Sequence, residues 1–256
     1  QLFNALYINS LPENMRYRYN YFYDNCATRP RDMIEEYVNG TIIYPPTSKK
    51  QTFRDLLHEC TAEHKWTKFG IDLMVGSPSD KVIDVREKMF IPDYLMGSFD
   101  GATMVVNDTL SYPLVMKSEM ILELDSERNN AGEQTIFTPF VTAFALLLIT
   151  IIISLLQLAN LNKVRPAKIY DTLLFGTAGI GSLVLFTLMF FSEHPATNPN
   201  WNFVWLNTFA LVAAVLFWVK SAKKIVYFYH FINFAVITLF VLLWWLIPQQ
   251  LPIATI

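Results

Sequence analysis

Four apolar stretches in the second half of the chain, at about 139–161, 169–191, 201–219 and 225–247, each approach the roughly 20 residues that carry a helix across a hydrocarbon core. Buried helices of a large soluble core would need amphipathic elements to cover them, and residues 139–256 supply none. This half therefore reads as an all-α transmembrane domain of four helices. The chain is 53% hydrophobic and 16% charged, but the charge is divided unevenly. Residues 1–138 hold 14 Lys and Arg against 20 Asp and Glu, whereas residues 139–256 hold 6 against 2. The acidic first half argues against a nucleic-acid partner.

Basic residues are retained in cytoplasmic connections. Those of the membrane half fall in two places, Lys163, Arg165 and Lys168 in one, Lys220, Lys223 and Lys224 in the other, with none in 192–200. The pattern predicts that the first and third connections lie inside, and that the middle connection, the C-terminus and residues 1–138 lie outside. Trp201, Trp205, Trp244, Trp245, Tyr227 and Tyr229 fall near the inferred interfaces. Asp171 and His230 lie near the cytoplasmic end and read as interfacial, while Gly176, Gly179 and Gly181 read as points of close helix packing.

Residues 1–125 form one outer module, α+β in character, and 126–138 is the juxtamembrane linker, with the polar run SERNNAGEQ at 126–134. Thr52 and Asp55 are spaced as a capping box for a helix whose inward face is Phe53, Leu56, Leu57 and Cys60. His64, four residues on, is expected half-buried on that same face, and His58 is expected to face solvent. A second helix is expected around 71–75, ending at Gly76, and a third over 81–89. A hairpin is expected over 110–124. No zinc-ligand spacing, glycine-rich phosphate loop or Gly-x-Ser-x-Gly is present, so neither a metal nor a cofactor is implied.

The chemically pointed segment is 17–38, YRYNYFYDNCATRPRDMIEEYV. Its aromatic run Tyr19, Tyr21, Phe22 and Tyr23 reads as a strand, and a helix follows through Met33, Ile34, Tyr37 and Val38. Pro30 is tolerated only in a first turn, which favours a cap at Thr28 or Ala27 over Asn25. Cys26 then stands at or just before the helix start, where the dipole, free N–H groups and Arg29 and Arg31 favour a thiolate. Three readings stay open on spacing alone: a nucleophile, a disulfide with Cys60, or a plain buried thiol. The outer loop at 192–202 carries His194, Asn198 and Asn200, which could line a lipid headgroup site.

The run YRYNYFYDNCATRPRD, together with WTKFGIDLMVGSPSD, KMFIPDYLM and FFSEHPATNPNWNFVWLN, resembles the Lnb family of Bacteroidetes over nearly the whole chain. The resemblance implies a lipoprotein N-acyltransferase of the bacterial inner membrane. Its periplasmic domain would be distantly similar to permuted NlpC/P60 and papain-like thiol enzymes. It makes Cys26 the nucleophile, with Asn25 and the helix-start amides stabilising the oxyanion. Tyr23, Arg29, Arg31, Asp32, His194, Asn198 and Asn200 are then the expected substrate contacts, Arg29 and Arg31 holding phosphate or fixing Asp32. The acyl donor would be a membrane phospholipid and the acceptor a diacylated lipoprotein. One departure stands out: the family's Phe-Gly-His segment upstream of the Asn-Cys motif does not occur in residues 1–256. The expectation is that this chain is the C-terminal part of a longer protein whose N-terminal segment carries the catalytic histidine. A membrane-anchored cysteine amidase or peptidase, or a non-catalytic lipid-binding protein with Cys26 paired to Cys60, are the alternatives.

Overall fold

The computed structural model describes residues 1–107, 109–121, 136–159 and 164–255, without the side chains of 164–166 and 255. In chain order its elements are α1 (Leu2–Asn9), α2 (Thr28–Tyr37), β1 (Thr41–Ile43), β2 (Gln51–Thr52), α3 (Phe53–Cys60), α4 (Lys65–Met74), β3 (Val82–Ile83), α5 (Val85–Lys88), α6 (Pro92–Asp100), β4 (Thr103–Val106) and β5 (Leu110–Pro113). The membrane half adds α7 (Pro139–Leu158), α8 (Val164–Phe190), α9 (Asn202–Trp205), α10 (Phe209–Leu216) and α11 (Lys223–Leu242). The chain divides into two compact units, one of residues 1–60 and 81–130, the other of residues 61–80 and 131–256.

The first unit is mixed α/β. Strands β1, β4 and β5 form an antiparallel sheet in the order β1-β4-β5, with Ile42 opposite Met104 and Met104 opposite Tyr112. A second, two-stranded sheet pairs Gln51 with Ile83 and Thr52 with Val82. Helix α3 starts where β2 ends, because the backbone N–H of Thr52 donates to Asp55 Oδ2 at 2.8 Å and that of Asp55 donates to Thr52 Oγ1 at 3.1 Å. This is the reciprocal capping that the Thr52–Asp55 spacing foretells. Phe53, Leu56 and Leu57 of α3 are buried as expected, whereas Cys60, at the fraying last turn, is exposed. The ring of Phe53 stacks on Phe22 at 4.3 Å, and both meet Phe90 edge-on. Burying three such rings contributes about 2–3 kcal/mol each, so this cluster is the unit's main apolar anchor. Lys88 is buried beside it and donates to Thr47 Oγ1, Lys49 O and Gln51 Oε1, which ties the extended segment before β2 to α5. Burial and the neighbouring Lys49 hold its ammonium below the usual lysine range.

Three sequence expectations for this unit are corrected. The aromatic run at 19–23 is a turn, closed by reciprocal bonds between the backbones of Asn20 and Asp24 at 2.8 and 2.9 Å. The Asn20 side chain accepts from the amides of Phe22 and Tyr23, which favours the turn over a strand. Residues 81–89 are a strand followed by the short capped helix α5, the Asp84–Glu87 capping box setting where the helix begins. The hairpin joins β4 to β5, so only its 110–113 arm lies in the expected 110–124; residues 122–124 lie outside the described residues.

The second unit contains three helices long and apolar enough to cross a membrane, Pro139–Leu158, Ala167–Phe190 and Lys220–Leu242. The stretch expected at 201–219 is instead two short helices, α9 and α10, broken at Leu206, Asn207 and Thr208. It still tracks α8 antiparallel along its length. Phe203 packs near Phe186 and Phe190, Phe217 meets Phe175, and Trp218 Nε1 donates to Thr172 Oγ1 at 2.9 Å. Between these contacts Gly179 lets α8 approach Leu211 so closely that a Cβ would lie 2.6 Å from its amide nitrogen. The packing expected of glycines is thus met at Gly179, while Gly176 has nothing near it. His230 stacks on Phe217 and meets Phe175 and Tyr229 edge-on. Lys163, the Arg165 side chain and the tether 126–134 lie outside the described residues.

The segment 61–80, which reads by sequence as part of the outer module, packs within the second unit. Helix α4 is longer than the expected 71–75, and its C-terminal carbonyls are taken up by membrane-domain side chains. Asn202 Nδ2 donates to Asp72 O at 3.0 Å, and Asn200 Nδ2 to Leu73 O at 2.7 Å and Met74 O at 3.2 Å. Gln249 Nε2 reaches Val75 O at 3.4 Å. At Gly76 the backbone runs so close to the loop that a Cβ would sit 2.2 Å from Pro199 O. Trp66 Nε1 donates to Phe137 O at 2.6 Å, just before α7. The start of α7, the α8–α9 connection and the segment after α11 therefore share one end of this unit.

Candidate active site around Cys26

Cys26 is an exposed free thiol, two residues before α2 begins. Its position is set by Asn25. The Asn25 side chain is buried, donates from Nδ2 to Tyr21 O at 2.9 Å and Phe90 O at 2.8 Å, and accepts at Oδ1 from the amides of Ala27 at 2.7 Å and Thr28 at 2.9 Å. The Asn25 amide in turn donates to Thr28 Oγ1 at 2.7 Å. Ala27 occupies the cap position, as expected, but it makes no side-chain capping bond, and the Asn25 side chain supplies the acceptor instead. The reason Pro30 does not forbid this is that the helix starts at Thr28, with Pro30 still in its first turn.

This geometry changes the electrostatics expected of the site. An amide side chain has two donors and two acceptor lone pairs, and Asn25 uses all four. The amides of Ala27 and Thr28 are likewise spent on it. The expected oxyanion donors, Asn25 and those helix-start amides, are therefore occupied. The amide of Cys26 itself makes no hydrogen bond among the described residues. One donor is thus left next to the sulfur, with the positive end of α2 behind it. Tyr19, which sequence reasoning passed over, feels the thiol's charge: burial, then Cys26 and Tyr17, push its phenol above the ordinary range and keep it protonated.

Both expected arginines are engaged. Arg29 forms a two-pronged pair with Asp24, Nε to Oδ1 at 2.7 Å and Nη2 to Oδ2 at 3.1 Å, and its guanidinium lies 3.5 Å over the Tyr17 ring. The cleft beside it, about 570 Å³, also carries Asp32 and Glu36, so it favours a cationic or neutral group over a phosphate. Arg31 is buried and fixes Asp32, with Nε to Oδ1 at 2.8 Å, while Arg86 Nη2 reaches the same oxygen at 2.5 Å. Of the two roles weighed for this pair, fixing Asp32 describes Arg31. Tyr23 is exposed beside the Phe22–Phe53 cluster.

The other expected residues belong to the second unit. His194 and Asn198 are exposed, whereas Asn200 is buried and committed to Leu73, Met74, Asn202 and Gln249. His64 is exposed ahead of α4, because α3 ends at Cys60 and the helical face does not continue. His58 is half-buried on α3 rather than solvent-facing. Cys60 is also a free thiol, and burial with the carboxylates of Asp93 and Glu59 pushes it up. The pairing of Cys26 with Cys60 is thus not formed. No cluster of His, Cys, Asp and Glu that could hold a metal occurs among the described residues.

The fold and these features define a membrane protein whose helical half accompanies a mixed α/β unit with an exposed cysteine at a helix start. Residues 131–256, the helical half, match the family model described as the Lnb transmembrane domain. No curated protein and no solved structure gives a significant match.

Proposed function

We propose that this protein is a lipoprotein N-acyltransferase of the bacterial inner membrane, with the Cys26 unit and the C-terminus on the periplasmic side and α9–α10 completing a fourth crossing. In the first half-reaction the Cys26 thiolate attacks an acyl ester of a phospholipid. A C–S bond forms, the C–O bond breaks, and the lysophospholipid alkoxide leaves with a proton. In the second, the free α-amine of a diacylglyceryl-cysteine attacks the thioester carbonyl, forming the amide and returning the thiolate as the amine loses its proton. The carbonyl oxygen takes negative charge in both steps, and the unengaged Cys26 amide is its first donor, with the Tyr19 hydroxyl as a second. A thioester suits the sequence of steps, since it reacts readily with an amine.

The observation that carries this reading is an exposed thiol with an unused amide at a helix N-terminus, in a chain whose residues 131–256 match the Lnb transmembrane domain model. The proton acceptor in this reading is the histidine of the family's Phe-Gly-His segment, which residues 1–256 do not contain. Intact-mass analysis of lipid-exposed protein, before and after neutral hydroxylamine, tests it. A hydroxylamine-labile fatty-acyl adduct mapped to Cys26 is the expected result; protein that cycles lipoprotein substrate with Cys26 replaced by Ala overturns it.

A further inference from the structure

The membrane unit holds a cavity that chemistry at Cys26 does not use. It is a half-open recess of about 380 Å³ beside the break between α9 and α10, lined by Val204, Asn207, Phe209, Tyr229, Ile232, Asn233 and Val236. Sites for small molecules have roughly this size. Its apolar wall carries a small group of polar atoms. Asn207 Nδ2 donates to Asn233 Oδ1 at 3.1 Å, bridging the break to α11. Asn207 Oδ1 and the Tyr229 hydroxyl are buried without any hydrogen-bond partner among the described residues. The backbone amides of Asn207 and Thr208, freed by the break, also donate to nothing among them.

Unmet polar atoms at membrane depth are costly, and broken helices in membranes recur where a ligand meets the freed groups. The unmet set is mixed: an acceptor at Asn207 Oδ1, donors at Tyr229 and in the break. A lipid with only ester carbonyls would satisfy the donors and leave Asn207 Oδ1 alone. A free hydroxyl next to the ester satisfies both. None of the described residues lining the cavity is cationic, so a phosphate meets no counter-charge from them. We propose that this cavity binds an uncharged single-chain lipid bearing a hydroxyl beside its acyl ester, of the monoacylglycerol type. The chain lies along Val204, Phe209 and Ile232, the hydroxyl donates to Asn207 Oδ1, and the ester carbonyl accepts from Tyr229. The site is separate from the acyl-transfer reading and stands or falls without it.

Native mass spectrometry of the detergent-purified full chain, titrated with monooleoylglycerol, methyl oleate or oleoyl-lysophosphatidylethanolamine, tests the proposal. Methyl oleate keeps the chain and ester but lacks the hydroxyl; the lysophospholipid adds the phosphate. The expected result is retention of monooleoylglycerol roughly tenfold better than either comparator, as the gain or loss of a buried hydrogen bond implies. Tyr229→Phe should weaken retention by a similar factor, Val236→Trp should abolish it by filling the cavity, and Cys26→Ala should leave it unchanged. Equal retention of methyl oleate, preference for the lysophospholipid, or full retention by both Tyr229→Phe and Val236→Trp would overturn the assignment.

Discussion

Replacing Asn25 by Ala separates a structural role from a chemical one. The substitution removes the acceptor for the amides of Ala27 and Thr28 and strands the carbonyls of Tyr21 and Phe90. Loss of a cap costs about 1 kcal/mol. Each buried carbonyl left unpaired costs about 1–3 kcal/mol more. The sum, about 3–7 kcal/mol, is a large share of the roughly 5–15 kcal/mol that holds a domain together. In a unit of this size it should lower the melting temperature by more than about 10 °C. Thermal unfolding followed by limited proteolysis of the Cys26 unit, in detergent, reads this directly. Asn25→Asp sharpens the test, because the second carboxylate oxygen would face the carbonyls of Tyr21 and Phe90. Its folded-state pKa should rise above the ordinary value of about 3.9, so the variant should be closest to wild type in acid and lose stability as pH rises through that shifted value. If Asn25→Ala melts with the wild type yet loses acyl transfer, the capping argument fails and Asn25 belongs to the reacting groups.

Cys26→Ala should instead melt within about 0.5 kcal/mol of wild type while forming no hydroxylamine-labile adduct, since the thiol is exposed; a shift of several degrees in melting temperature would contradict this. Cys60 should alkylate more slowly at pH 8 than an unperturbed thiol, and Asp93→Asn should speed it roughly twofold or more, because a carboxylate that holds the thiol protonated is gone; an unchanged rate in stopped-time labelling refutes the cause. Gly76→Ala should loosen the α4 segment from the loop at 195–202, read as faster hydrogen exchange at Ser77, whose amide bonds Pro199 O at 2.9 Å. Hydrogen bonds from Lys49 and Tyr94 depress the Glu59 carboxyl, so its contribution is present above about pH 4.3 and lost as pH falls through the lower folded value. Acid titration of melting temperature in Glu59→Gln against wild type should show the two curves converging below pH 4, and parallel curves would refute it.

What was legible in the sequence was what local chemistry decides. The Thr52–Asp55 capping box, the burial of Phe53, Leu56 and Leu57, the helix after Cys26 and three of the four apolar spans need only spacing and hydropathy. Asn25 defeated the same logic. Its capping oxygen comes from three residues before the helix, and its amide is also spoken for by Phe90, 65 residues away, which no local pattern encodes. The turn at 20–24 was misread for a related reason, since aromatic residues favour strands only where a neighbouring strand exists to pair with them.

The hardest feature to foresee was the membership of residues 61–80 in the membrane unit, and its cause lies in helix ends. Helix α4 leaves its last carbonyls unpaired, as any helix does, and at the surface of an outer module water would meet them. Asn200, Asn202 and Gln249 meet them instead, so the asparagines of the loop that reads as a polar headgroup site are consumed in joining chain segments over 120 residues apart. Residue types that could recognise a lipid are the same ones that can cap a helix, and only the identity of the nearest acceptor separates the two. Asn207 applies the same test with the opposite outcome. Its Oδ1 meets no donor among the described residues, which is why the broken third segment, and not the asparagine-rich loop, carries the lipid-binding proposal.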